Sequence, residues 1–148
     1  MSALYLRTSY YHESFSIFRS VDLTLKMNNY HLGLLYMVHL LMSSDGEISD
    51  DEVKAWTLIN KKEGISEELF NDFRNSLSTK TEREIYQAGI DRLNLCTNEE
   101  KLNAFVHLYN LSEADGNVHV KEVRLLLYSI RMTGIEFNDV VEHAKRSA

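Results

Sequence analysis

The chain has 148 residues, 44% apolar and 26% charged, with 16 Lys and Arg against 22 Asp and Glu for a formal charge of −6. That length suits one domain with its own core, and the composition excludes a disordered or low-complexity chain. The acidic balance, with adjacent basic pairs only at Lys61 with Lys62 and Lys145 with Arg146, weighs against a nucleic-acid binder, whose affinity draws on clustered cations.

Residues 1–28 hold five of the fifteen aromatics, Tyr5, Tyr10, Tyr11, Phe15 and Phe18. They read as an extra helix on the bundle, or as an aromatic arm that joins a protein partner or a second subunit in a homodimer. Met1 to Leu6 is too short for a secretory apolar region, and Arg7, His12, Glu13 and Arg19 break up the residues after it. The stretch from Leu32 to Met42 is broken by Gly33 and His39 and falls short of the roughly 20 residues a spanning helix needs. No membrane association is expected. With Cys96 as the one cysteine, neither an internal disulfide nor a thiolate cluster can form, so a reducing cytoplasm is the expected compartment.

The chain contains no proline, which removes the commonest interruption of helices. Leu34, Leu35, Val38, Leu41 and Met42 recur at three- and four-residue steps, as do Leu102, Phe105, Val106, Tyr109 and Leu111. Ser49 with Glu52, Thr81 with Glu84 and Thr97 with Glu100 fit the capping box. Gly64 and Gly134 come after periodic segments, where a left-handed residue ends a helix. These cues predict an all-α chain with helices near 30–44, 50–63, 66–76, 81–95, 98–114, 120–133 and 136–146.

Residues 41–65 overlay residues 111–135 without a gap, and Leu41, Asp45, Gly46, Glu52, Val53, Gly64 and Ile65 recur as Leu111, Asp115, Gly116, Glu122, Val123, Gly134 and Ile135. The expected architecture is a compact bundle of two pseudo-symmetric three-helix units, 30–76 and 98–146, joined by the helix 81–95. Each unit carries an acidic turn, Asp45, Gly46, Ile48 and Glu52 in the first and Asp115, Gly116, Val118 and Glu122 in the second. The turn half-resembles a calcium-binding EF-hand, but with its Gly at the sixth position the first ligand falls on Leu41 or Leu111. An EF-hand is therefore not expected.

A weaker cation site stays open: carboxylates from Asp45, Glu47, Glu52, Asp115 and Glu122 offered to a hard divalent cation, Ca, Mg or Mn, completed by carbonyls and water. The alternative is structural, because Asp can hold a turn and Glu52 can cap against Ser49. In the second turn His119 replaces Ser49 while Glu122 stays, which points to a role for the glutamate beyond capping. Zinc is less expected, since the histidines 12, 31, 39, 107, 119 and 143 show no paired metal spacing. Cys96 reads as a small buried hydrophobe.

With S-S-D-G-E-I-S-D-D-E at 43–52 and E-A-D-G-N-V at 113–118, the chain resembles the TerB-like family of tellurite-resistance and DjlA N-terminal-like domains over roughly residues 28–145. The resemblance implies a bundle of about seven helices, an acidic site at Asp45, Glu52, Asp115 and Glu122, and a stress or tellurite-resistance setting. It implies no reaction. Phosphate-binding glycine loops, nucleophile elbows and dinucleotide fingerprints do not occur. The expectation is a non-enzymatic acidic module that binds a cation weakly or docks a partner; a hydrolase with a carboxylate-held metal and a ligand-free scaffold are the alternatives.

Overall fold

The computed structural model describes residues 27–43, 50–114 and 120–147. Among the described residues the chain is all-helical, with α1 (Asn29–Met42), α2 (Asp50–Glu63), α3 (Glu67–Leu77), α4 (Glu82–Asn94), α5 (Asn98–Ala114), α6 (Val120–Met132) and α7 (Phe137–Arg146). The aromatic N-terminal segment and the two turns bearing Asp45, Glu47 and Asp115 lie outside the described residues.

Local chemistry sets the helix ends. Asn28 accepts the His31 amide at 2.7 Å and starts α1 one residue earlier than apolar spacing suggests. Ser66 accepts Leu69 N–H and Thr81 accepts Glu84 N–H, each at 3.2 Å. Both residues therefore stand just outside the helices they begin. Thr97 and Glu100 make the full reciprocal box, with Thr97 N donating to Glu100 Oε1 at 3.0 Å and Glu100 N donating to Thr97 Oγ1 at 3.2 Å. Gly64 at φ 70° and Gly134 at φ 75° close α2 and α6. Behind them Ile65 N donates to Asn60 O at 2.9 Å and Ile135 N to Ile130 O at 3.2 Å, the six-to-one bond of a Schellman motif.

α1 is the central rod. Leu34, Leu35 and Val38 are fully enclosed and Leu32 and Met37 nearly so, so the helix is buried well beyond a single stripe. Its closest partner is α4, and two glycines permit the approach. A Cβ on Gly33 would stand 2.9 Å from Leu93 Cγ, and one on Gly89 would stand 3.0 Å from Met37 Sδ. α2 and α3 close one flank through Trp56, which meets Phe70 and Phe73 edge-on at centroid distances of 5.4 and 5.9 Å. Tyr36 of α1 reaches Phe73 at 5.3 Å. On the other flank Ala104, Phe105 and Leu108 of α5 are buried, as are Leu126 and Ile130 of α6 and Val140 and Ala144 of α7. Cys96 is half-buried against this core, its thiol donating to Arg92 O at 3.3 Å. No described helix is long and apolar enough to cross a membrane.

The ends of α2 and α6 match in register and turn geometry, yet the two halves pack differently. α5 packs on α7, whereas α1 packs mainly on α4, α2 and α5 and meets α3 through Tyr36.

Candidate functional site

The sequence-predicted acids that are described serve two different surroundings. Glu52, in the first turn of α2, is 0% exposed, and its Oε1 lies 2.7 Å from His39 Nδ1. The His39 ring lies parallel to Trp56, 8° from coplanar at 5.9 Å. Glu52 therefore holds α1 to α2 inside the protein. Glu122, its counterpart in the repeat, instead lines an open cleft at the start of α6. Among the described residues no three His, Cys, Asp or Glu side chains are arranged to hold a metal ion.

The cleft has a volume of about 530 Å³ and lies between the end of α1 and the starts of α4 and α6. Its walls are mainly apolar, built by Leu40 and Leu41 from α1, Tyr86 from α4 and Leu125 from α6. Burial raises the Tyr86 phenol above its ordinary range, and its ring stacks on Tyr128 at 6.0 Å. At the mouth Lys121 and Glu82 approach to 4.0 Å, both well exposed. Such a pair adds little to stability. The volume falls within the roughly 300–1,000 Å³ usual for ligand sites, which are likewise mostly apolar with a few polar groups at the edge.

A second polar constellation has only an indirect signal in the sequence. Glu63, the last residue of α2, collects Tyr30 and His31 from α1 and His107 from α5. Tyr30 Oη donates to Glu63 Oε1 at 2.7 Å, His107 Nε2 lies 2.8 Å from the same oxygen, and His31 Nε2 lies 3.4 Å from Oε2. Burial pushes the carboxyl up, but the hydrogen bonds from Tyr30 and His107 and the charges of His107 and His31 outweigh it and hold Glu63 below the usual carboxylate range. Burial first, and then the hydrogen bond and charge of Glu63, push the Tyr30 phenol far above its ordinary range. The carboxylate is thus the acceptor that ties three helices together.

Both imidazoles of α1 face α2, which runs back antiparallel: His31 near its start meets Glu63, and His39 near its end meets Glu52. The sequence signal was present but indirect. His31 and His39 are eight residues apart and Glu52 and Glu63 eleven, spacings that put each pair on one face of its helix. Neither spacing is that of a metal-ligand motif. No family model, curated protein or solved structure matches the chain.

Proposed function

We propose that this chain is a non-enzymatic docking module of the TerB-like kind, whose cleft between α1, α4 and α6 receives apolar side chains from a helix of a partner protein. The observation that carries the reading is the cleft itself, a hollow of about 530 Å³ whose apolar surface comes from Leu40, Leu41, Tyr86 and Leu125 and whose other lining residues, Thr81, Glu82, Arg83, Lys121 and Glu122, are polar or charged. Burying apolar surface there contributes about 25 cal/mol per Å² before the cost of association. The TerB-like assignment rests on the duplicated acidic turns, and the stress or tellurite-resistance setting rests on that resemblance alone. Weak cation binding belongs to the same proposal only through the turn acids; the enclosed Glu52, already engaged by His39, is better suited to holding helices than to ligating an ion.

A neutral amphipathic peptide of about five helical turns, with Leu on one face and Gln on the other, tests the cleft. Titrated into the full chain, it shifts the amide resonances of Leu41, Tyr86 and Leu125, and Leu125→Glu abolishes the response. Shifts confined to another face, or none, would refute the reading.

A further inference from the structure

Resting on that docking reading, we infer that the partner helix is acidic on its flanks and lies lengthwise along α6. Two hollows share Leu125. The first is the cleft at the start of α6, and the second, about 570 Å³, is lined by Arg124, Leu125, Leu127, Tyr128 and Arg131. Together they make a track along the outer face of a 13-residue helix, about 20 Å at 1.5 Å per residue. Apolar groups stand open on this face: Val120, Leu127, Tyr128 and Met132 are 66, 44, 55 and 49% exposed.

Charge selects the occupant. α6 carries Lys121, Arg124 and Arg131 against the single acid Glu122, in a chain whose formal charge is −6. Among the described residues Lys121 has only the distant Glu82 contact, and Arg124 and Arg131 form no ion pair. The two arginines are seven residues apart, about two helical turns or 10 Å, with Leu127 and Tyr128 between them. A partner helix with Leu-sized residues at three- and four-residue steps and Glu or Asp two turns apart matches both features. Arginine suits this role because its planar fork takes a carboxylate through two hydrogen bonds. An anionic bilayer fits less well, since the net charge of the whole chain opposes it. A second copy would bring the same positive stripe. Residues 1–26 have Arg7, Arg19 and Lys26 against Glu13 and Asp22, so they lack the acidic excess the track calls for.

Three labelled 18-residue peptides of one Leu pattern, flanked by Glu, Gln or Lys, would be titrated by fluorescence anisotropy into the full chain at low salt. The Glu peptide binds at least about tenfold tighter than the Lys peptide, an advantage that fades as salt screens it. Arg124→Glu with Arg131→Glu inverts the order, and because both side chains are exposed the melting temperature stays near that of the parent. Equal binding of all three peptides would overturn the acidic partner and leave the docking reading standing; binding of none would overturn both. Stronger uptake by phosphatidylserine vesicles than by the Glu peptide, or a dimer in light scattering that the double variant dissolves, would also overturn it.

Discussion

Removing the Glu63 carboxylate should loosen three helices at once. It accepts from Tyr30 Oη at 2.7 Å and is approached by His107 Nε2 at 2.8 Å. A hydrogen bond to a charged group contributes about 1.5–3 kcal/mol. The two share one oxygen and the side chain is 19% exposed, so solvent screening and non-additivity reduce their sum. Glu63→Ala is therefore expected to cost about 2–3 kcal/mol at neutral pH, or roughly 5–10 °C in Tm for a domain of this size. Glu63→Gln keeps an oxygen for Tyr30 but loses the charge facing both imidazoles, and should lose about half as much. Urea unfolding followed through Trp56, the only tryptophan and fully enclosed, reads both variants. The pH dependence supplies the sharper check. Because the folded-state carboxyl is held below its ordinary value, its contribution is present above about pH 4.3 and is lost as pH falls through the folded value. The parent therefore has a steeper acid limb than Glu63→Gln. Superimposable acid limbs, with unchanged stability at neutral pH, would refute this account of the cluster.

The packing implies three further outcomes. Gly33→Ala gains about 1 kcal/mol of helix propensity but drives a methyl against enclosed Leu93, an overpacking cost of about 1–3 kcal/mol; calorimetry should show net destabilisation, and a raised Tm would contradict the close α1–α4 crossing. Glu52→Ala breaks a buried pair and should cost about 3 kcal/mol in urea unfolding, while any change in Tm caused by calcium, magnesium or manganese stays as in the parent; undiminished stability with loss of a cation response would restore Glu52 as a ligand. Thr97→Ala removes a reciprocal cap and should cost about 1 kcal/mol in the same assay, whereas no loss would show that α5 starts without it.

The helices were legible because each is written in local terms. Thr97 with Glu100, Gly64 and Gly134 fix their ends through residues within one turn, and apolar recurrence marks the rods between them. What sequence could not reveal was which element each rod would meet. Glu52 and Glu122 hold equivalent places in the repeat, yet position 39 is His and its counterpart, 109, is Tyr. The first glutamate consequently has an imidazole to hold inside the protein, and the second lines a cleft. Gly33 read as an interruption of an apolar run; beside Gly89 it becomes the place where two helices come together. Glu63, at a helix end, belongs to none of the motifs in the sequence. Its partners come from positions 33, 32 and 44 residues away in the chain, a separation that no periodicity encodes.

The most direct measurement for the docking claim is an isotope-filtered nuclear Overhauser spectrum of the full chain with the neutral Leu/Gln peptide. Cross-peaks from peptide Leu methyls to the side chains of Leu41, Tyr86 and Leu125 are the expected result. Cross-peaks to the α3 or α7 surfaces instead, or a saturated complex with none to the cleft, would contradict it.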